Sequence, residues 1–306
     1  KWSASMAGYI EKIARRFGLI ETRVYKTPME PGFMVHESDL EELDKMDRAT
    51  REKLEEELRS IVGSVGYATT ALRYDAAYAV SVLSRYLTKP CKKVMDAARR
   101  VVAWMYQTKD FELTWSTENV GDEGDHHKLY ASADSSFAMD VMTRRSHGGY
   151  ICFLNGGPVA WKSGLQQIVT LSSCEAEYVA VCAAVCEIKY LRNMLRELGY
   201  AQKQPTLIWE DNRAAILVSE QACSSAGRCK HVDIKYKFVA RAIRDGEVIL
   251  RYTPSSQNVA DILTKPLTQA VFDRLKLLVA KPNQGDESVK HCIDHELYML
   301  DVESLL

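Results

Sequence analysis

Four acidic residues in the second half of the chain lie at positions where acidic residues are uncommon. One interrupts a β-rich run, one lies within a helical pattern, one ends an apolar strand pattern, and one is placed at the start of the last predicted helix. Strands disfavour Asp, and an ionised carboxylate among apolar neighbours is costly unless a cation compensates its charge. Taken alone, Asp211 is better explained as a helix N-cap. One acid in each of four elements predicts instead that they meet around a cation, and the four are Asp134, Glu177, Asp211 and Asp261.

The chemistry of such a cluster follows from its donor atoms. Carboxylate oxygens without His or Cys favour Mg²⁺ or Mn²⁺ over zinc. Two such ions about 4 Å apart form the arrangement used for in-line attack on a phosphodiester, in which one ion generates the hydroxide and the other stabilises the leaving 3′ oxygen. The cluster therefore predicts a hydrolase of a nucleic-acid backbone with two bound ions.

Glu175 competes with Glu177 for the helical position in this cluster. The two are separated by a rotation of ~200° about the helix axis, so only one of them can face the metal. Glu177 lies on the stripe that includes Ala180, Ala184 and Ile188, which is the face expected to pack on the sheet. We choose Glu177 and keep Glu175 as the weaker candidate.

The second half of the chain also has the pattern of a sheet that could bring these acids together. Short β-rich runs precede one long helical pattern that ends at Gly199, and strand and helix patterns alternate after it. A mixed sheet flanked by helices is the natural packing for this order, so we predict an α/β fold. The predicted strands are residues 128–137, 149–155, 158–162, 206–209 and 247–252, and the predicted helices are 174–198, from about 212, 231–244 and from about 258.

The first half of the chain is predicted to be mostly helical. An amphipathic pattern ends at Gly18, a C-cap candidate, and a Pro- and Gly-containing linker follows it. One long stretch without Pro or Gly carries ten acidic and four basic residues and predicts a single solvent-facing helix. The predicted helices are residues 7–18, 37–58, 75–87 and 90–108, and the linker is 27–32.

The composition excludes several classes of protein. The chain has 306 residues, of which 46% are hydrophobic and 26% charged, as in globular proteins. No apolar run approaches the ~18 residues needed to span a bilayer. The eight Cys form no pair with zinc-site spacing, which favours reduced thiols in an intracellular protein. Because the chain begins with Lys1 and shows no signal-peptide pattern, we expect a fragment or a processed piece.

Basic residues are clustered although the net charge is −1. Residues 85–109 carry seven basic residues and one acid, and residues 228–244 carry six and one. Either stretch is explained as phosphate contacts or as an ordinary solvated helix face. The acidic residues 37–58 are not expected to face nucleic acid; we expect them on the opposite side of the protein or in contact with a partner. Further candidates for substrate contacts are Arg144, Lys162, Ser163, Lys230, His231 and Lys235.

The motifs around the four acids resemble the ribonuclease H domain of copia-type retrotransposon Pol polyproteins, and they occur in the family's order. An upstream resemblance extends to the end of the reverse transcriptase, through YIEKIARRFGL and TPMEP, and to its connection region, through residues 62–90. The ribonuclease H-like motifs are YASADSSFA, RRSHGGYICFL, PVAWKSGLQQIVTLSSCEAEYVA, WEDNRAAI, KHVDIKYKFV and NVADILTKPL.

This resemblance implies a ribonuclease H-like, mixed five-stranded sheet preceded by a helical connection region. It implies that Asp134, Glu177, Asp211 and Asp261 are the metal-binding and catalytic acids, that two Mg²⁺ or Mn²⁺ ions bind, and that the RNA strand of RNA/DNA hybrids is cut. The implied partners are the hybrid and the remainder of the Pol polyprotein (polymerase palm and fingers, and integrase), in the cytoplasm, in virus-like particles or in the nucleus. Reverse transcriptase activity is not expected from this chain alone, since the catalytic aspartates of the polymerase are missing from it. The implied segments are residues 1–32 (end of the thumb and linker), 33–116 (thumb and connection), 126–280 (ribonuclease H-like) and 281–306 (tail).

Several residues depart from the family pattern without removing an expected ligand. They leave open an alternative, an inactive hybrid-binding or scaffold module from a degraded element. An integrase- or resolvase-like nuclease with three acids is a weaker alternative, because the fourth acid, Asp261, and the early Glu177 argue against it. The loop at residues 254–257 lacks the His that other ribonucleases H often carry there, so the sequence shows no proton donor for the leaving group. The departures are Tyr74, Ser136, Phe137 and His147.

Overall fold

The structure is a computed structural model that describes residues 1–116, 128–221 and 230–280 of the chain. It contains two sheets and eight α-helices within these ranges. The predicted tail at residues 281–306 lies outside the described residues. No helix in the described ranges is both long enough and apolar enough to cross a membrane.

The larger sheet confirms the predicted mixed, five-stranded α/β fold. Its strand order is β5-β4-β3-β6-β7; β4 is antiparallel to both β3 and β5, whereas β6 pairs in parallel with both β3 and β7. The strands are β3 Leu129–Ser136, β4 His147–Leu154, β5 Gly157–Leu165, β6 Thr206–Glu210 and β7 Val248–Tyr252. The predicted β4 and β5 were too short because His147 pairs with Leu165 at the open end of the hairpin.

Helices cover both faces of this sheet. The side chains of a strand alternate between these faces, so a single strand contributes to two cores. Tyr150 and Cys152 of β4 pack in a core with the long helix α5, Ser173–Glu197. Ile151 and Phe153 of the same strand pack in a second core with the helical region that precedes the sheet. On the α5 side lie α6 Arg213–Gln221 and α7 Lys230–Arg244, as the contacts between these helices show.

The acidic stretch predicted as one helix over residues 37–58 is two separate elements, so that prediction is wrong. A 3-10 helix spans Glu37–Lys45, and α2 spans Arg48–Ala71. Asp47 separates them because its side chain accepts a hydrogen bond from the Thr50 amide at 3.0 Å and caps the second helix. An Asp side chain that satisfies the first free N–H groups of a helix marks a start rather than a continuation.

Other predicted boundaries in the helical region also change. The helix predicted over residues 75–87 is α3, Ala77–Leu83, with a 3-10 turn at each end, and α1 is Ala7–Arg16, with Gly18 at positive φ as expected of a C-cap residue. The helix predicted from residue 90 is α4, Lys92–Gln107, because Cys91 is extended and acts as its N-cap. A two-stranded ribbon of β1 Trp2–Ser5 and β2 Glu112–Trp115 was not predicted, since four residues are too few to show a period.

The segment after β7 differs most from its prediction. Residues from 258 onward do not begin one helix: Val259–Leu263 form a 3-10 turn, and α8 begins only at Gln269 and ends at Ala280. Pro266 explains the interruption, because it has no amide hydrogen and disfavours helical backbone in the residue before it. Asp261 therefore lies in a tight turn, and this turn contacts both β3 and β4.

Candidate metal centre

Two neighbouring parallel strands place the first two acids side by side. In the register of β3 and β6, Ser132 is opposite Trp209. Counting two residues further along both strands brings Asp134 opposite Asp211, the residue directly after β6. Carboxyl ends of adjacent parallel strands meet at one edge of the sheet, where α/β proteins commonly bind ligands.

Helix α5 supplies a third acid at the same edge. Ser172 caps the helix by accepting a hydrogen bond from the Glu175 amide at 3.1 Å, and Glu177 follows within the first turns. One carboxylate oxygen from each of Asp134, Glu177 and Asp211 lies within 4.8 Å of the other two. Glu175 is engaged elsewhere, because its Oε2 accepts from the Leu171 amide at 2.6 Å in a reciprocal cap. The structure thus brings Glu177, and not Glu175, to the other two acids.

The surroundings of this three-acid cluster favour a bound cation. Asp134 is fully buried and Glu177 is 6% exposed. Burial, followed by the negative charges of Asp134 and other nearby acids, raises the pKa of Glu177 to about 11. Glu177 Oε2 is buried and has no hydrogen-bond partner. Buried carboxylate oxygens without partners, in an all-oxygen donor set, fit a hard divalent ion such as Mg²⁺ or Mn²⁺.

Asp261, the fourth predicted acid, lies next to this cluster but is not one of its three mutually close residues. Lys265 pairs with Asp261 and with Asp134 of the cluster: its Nζ lies 2.7 Å from Asp261 Oδ1 and 3.3 Å from Asp134 Oδ1. Burial, and then the charge of Asp134, raises the pKa of Asp261 to about 7, against the opposite effect of Lys265. The described residues therefore form a group of three acids and a fourth acid, Asp261, that lies beside Asp134 and shares Lys265 with it.

The 3-10 turn that carries Asp261 is held to the sheet by buried side chains. Asn258 Nδ2 donates to the carbonyl of Ala133 at 2.9 Å, and Asn258 Oδ1 accepts from Ser132 Oγ at 2.6 Å. The Thr264 hydroxyl donates to Asp134 Oδ2. These contacts fix the position of the turn relative to the strand that carries Asp134.

A second set of contacts holds the turn from the side of β4 and β5. Ser163 Oγ donates to the carbonyl of Leu263 at 2.6 Å and lies 2.9 Å from His147 Nε2. The His147 ring packs edge-on against Tyr78 of α3, with ring centroids 4.9 Å apart. Ser163, which the sequence analysis proposes as a substrate contact, thus has its hydroxyl engaged in positioning this turn.

Three residues of the site were missed by the sequence analysis. Glu210 is fully buried, its Oε2 has no hydrogen-bond partner, and burial raises its pKa well above the ordinary value, with Asp211 and Asp134 adding to the effect. Lys265 follows Asp261 by four residues, a spacing that brings side chains together on one turn of helix. Asn258 precedes the acid in the same motif. The adjacent acids of WEDN and the Lys of ADILTK were the available signals.

The other predicted substrate contacts differ in exposure. Lys162 is exposed on the edge strand β5, and Arg144 is exposed in the β3–β4 loop at positive φ. Lys235 is half-buried on α7. The side chains of Lys230 and His231 lie outside the described residues.

The cationic residues 85–109 are used within the protein. Lys93 pairs with Asp39 at 2.9 Å and Arg99 with Glu57 at 2.7 Å, so the acidic stretch 37–58 faces this helix. Arg85 pairs with Asp140 in the β3–β4 loop. The remaining pairs are Lys92–Asp96, Arg100–Glu30 and Lys109–Glu11. Because most of its basic residues are paired, this stretch has little free charge left for phosphate groups. The pairing favours an ordinary solvated helix face over phosphate contacts.

The chain is similar to polyproteins of several retrotransposons. It is 30% identical over 279 residues to the retrovirus-related Pol polyprotein from transposon TNT 1-94 of Nicotiana tabacum, covering 90% of this chain and 20% of that protein. It is 29% identical to the Pol polyprotein from transposon RE1 of Arabidopsis thaliana, covering 88% and 17%, and 26% identical to the transposon Ty1-LR3 Gag-Pol polyprotein of Saccharomyces cerevisiae, covering 85% and 14%. The chain thus spans a fifth or less of these curated relatives.

Among solved structures, the chain is similar to LC11-RNase H1 in complex with an RNA/DNA hybrid. The identity is 14%, the TM-score is 0.34, and the match covers 45% of this chain and 94% of the other. It is also similar to the foamy viral protease-reverse transcriptase in complex with an RNA/DNA hybrid, at 11% identity and a TM-score of 0.40, covering 69% of this chain and 27% of that one. No family model matches the chain.

Proposed function

We propose that this chain, whose homologues are the Pol and Gag-Pol polyproteins of copia-type retrotransposons, is a metal-dependent endonuclease that cuts the RNA strand of RNA/DNA hybrids during reverse transcription. The observation that carries this proposal is the convergence of Asp134, Glu177 and Asp211 within 4.8 Å at one edge of the sheet. Buried acids at that distance repel each other and are tolerated when divalent ions neutralise them.

The proposed metal ligands are the same four acids that the motifs indicate. Asp134, Glu177 and Asp211 would hold one ion, and Asp134 together with Asp261 would hold a second. Two such ions, when bound, supply the hydroxide for attack on the phosphodiester and stabilise the leaving oxygen. The chain itself holds these carboxylates in place through Asn258 and Thr264, whose hydrogen bonds connect the turn at Asp261 to β3.

The hybrid is proposed to be bound mainly through its backbone. Phosphate contacts supply most of the affinity of such complexes, and 2′-hydroxyl groups distinguish the RNA strand. Lys162 and Arg144 are exposed, and we propose them with Lys230, His231 and Lys235 as contacts to the duplex. Ser163 is proposed to act indirectly, through its bond to the turn at Leu263.

We propose the same division of the chain as the sequence analysis. Residues 126–280 would be the nuclease, and residues 1–32 and 33–116 the end of a polymerase thumb and its connection region, with a tail at 281–306 of unassigned role. Polymerase palm and fingers, and integrase, would belong to the remainder of the polyprotein.

The test is cleavage of a labelled RNA/DNA hybrid by the purified protein with Mg²⁺ or Mn²⁺. Asp134→Asn and Asp211→Asn should each abolish cleavage and leave the circular dichroism spectrum unchanged. Asp245→Asn, which alters an exposed acid that pairs with Arg241 on α7, is the matched control and should cleave normally. Cleavage that persists in Asp134→Asn would exclude the proposal.

A second candidate function is an inactive hybrid-binding module. The observation that favours it is the Lys265 ammonium between Asp134 and Asp261, where the second ion would bind. This candidate predicts binding of the hybrid that weakens with salt, and no product at any concentration of Mg²⁺ or Mn²⁺. Metal-dependent product that disappears in Asp134→Asn would exclude it.

A further inference from the structure

Lys265 lies between two acids as a cation supplied by the chain itself. Its Nζ is 2.7 Å from Asp261 Oδ1 and 3.3 Å from Asp134 Oδ1. The side chain of Asp134 is fully buried and that of Asp261 is 11% exposed, whereas Lys265 is 32% exposed. One ammonium group thus neutralises two carboxylates and retains a path to solvent.

The backbone directs Lys265 to this position. The Lys265 amide donates to the carbonyl of Asp261 at 3.1 Å, so the lysine ends the same turn. Thr264, the residue before it, donates its hydroxyl to Asp134 Oδ2. The two oxygens of Asp134 therefore have different partners, with Thr264 at Oδ2 and Lys265 at Oδ1.

The other side of the cluster has no such internal cation. Among the described residues, neither Glu177 nor Asp211 forms an ion pair, and Glu177 Oε2 is buried without a hydrogen-bond partner. The two halves of the site are therefore unequal: the half at Glu177 and Asp211 needs a cation, and the half at Asp261 already has one.

We propose that Lys265 occupies the second cation position and makes metal binding ordered, with the first ion at Asp134, Glu177 and Asp211 and the second only after the ammonium group has left Asp134 and Asp261. This inference rests on the proposed function. A tethered ammonium competes with free ions at a high effective concentration. It also makes two charge-assisted hydrogen bonds that the second ion must replace. The apparent affinity for that ion is the intrinsic affinity multiplied by the fraction of molecules in which Lys265 has moved away, so it is lowered when this fraction is small.

Calorimetric titration of the full chain with Mn²⁺ alone, without nucleic acid, tests this order. The wild type should bind two ions with well-separated dissociation constants. Lys265→Met should lower the second constant at least tenfold and the first less than threefold. Lys265→Arg, which keeps a cation at the site, should leave the second site weak, and Lys203→Met, a change of an exposed lysine before β6, should alter neither constant.

The outcomes separate this inference from the proposed function. If both dissociation constants of Lys265→Met change by the same factor, Lys265 acts only through long-range electrostatics. If the second constant changes less than threefold, Lys265 does not compete for the second site. Either result shows that the ordered mechanism is wrong. If the wild type binds no ion, or Glu177→Gln leaves the first constant unchanged, the metal centre itself is wrong. If Lys265→Met does not fold, Lys265→Gln, whose amide retains a donor for Asp261, is titrated with the same criteria.

Discussion

The side-chain amide of Asn258 donates a hydrogen bond to the carbonyl of Ala133 at 2.9 Å. This bond joins the turn that carries Asp261 to the strand residue directly before Asp134. Asn258 is fully buried, and its Oδ1 accepts from Ser132 Oγ and from the Ala260 amide. This side chain therefore helps to set the distance between two acids from distant parts of the sequence.

Asn258→Ala should lower both stability and cleavage. It removes the hydrogen bonds of Asn258 to the buried Ala133 carbonyl and Ser132 hydroxyl, and an unsatisfied buried group costs about 1–3 kcal/mol. Loss of such an outer contact typically reduces the activity of a metal site by about 10–100-fold. Urea unfolding and the rate of hybrid cleavage measure the two effects. Cleavage at the wild-type rate would show that Asn258 does not position the acids.

Glu177→Gln and Glu175→Gln form a matched pair on the same helix. Glu177→Gln should abolish cleavage, because it removes a carboxylate ligand from the cluster. It should also raise the free energy of unfolding of the metal-free protein, because it removes an acid whose charged form is disfavoured by burial and by the neighbouring acids. Glu175→Gln should retain cleavage and lose at most about 1 kcal/mol of stability, since it alters only the cap at Leu171. Loss of cleavage in Glu175→Gln alone would reverse our choice between them.

Gly149→Ala should displace the turn at Asp261. A Cβ atom at residue 149 would lie 2.7 Å from Leu263 Cβ and 3.1 Å from Thr264 Cγ2, closer than side chains pack. Overpacking of this kind typically costs about 1–3 kcal/mol, and here we also expect loss of cleavage. Gly164→Ala on the neighbouring strand is the control, because nothing lies within 4 Å of its added Cβ. Equal effects of the two substitutions would contradict a role for close packing at Gly149.

His147 should make the protein less stable in acid. Burial, with a smaller contribution from Arg85, lowers the pKa of His147 to about 3, whereas an unfolded His titrates near 6.5. Between these values the unfolded chain binds a proton that the folded chain does not, so stability falls as the pH falls below 6.5, by up to about 1.4 kcal/mol per pH unit. Above pH 6.5 the residue contributes no pH dependence.

The test compares the free energy of unfolding of the wild type and His147→Asn from pH 7.5 to pH 5. The difference between them should change with pH below 6.5 and be constant above it, because the acids of the metal centre are common to both proteins. An unchanging difference for His147→Asn would show that the ring is protonated in the folded state.

Asp75→Ala should destabilise the connection between the helical region and α8. The Asp75 carboxylate is fully buried and pairs with Arg73 at 2.9 Å and Lys276 at 2.8 Å. Burial alone would raise the pKa of Asp75, but the two cations lower it below the ordinary value. Removing one partner of such a group costs about 3–5 kcal/mol, because the cations remain buried. Thermal unfolding measures the loss, and Glu57→Ala, which breaks a partly exposed pair with Arg99, should cost about 1 kcal/mol or less.

Local patterns predicted the elements of the sheet well and the turns between them poorly. The long helix α5 and the strand β6 were predicted to within one residue at each end, because periodicity over many residues or a short apolar run shows them directly. The break at Asp47 and the turn at Val259–Leu263 were missed. The break depends on the capping side chain of Asp47, and the interruption after the turn depends on Pro266. A helical periodicity shows neither of them.

The sequence by itself determined which acids we propose as metal ligands and the order along the chain of the strands that present them. It did so because side-chain type and hydrophobic period are local properties. The tertiary structure decided that Lys265 pairs with both Asp134 and Asp261, and that cations of residues 85–109 pair with acids of the same chain. Contacts of this kind depend on how distant segments pack, and a charge in the sequence does not specify which opposite charge it will meet.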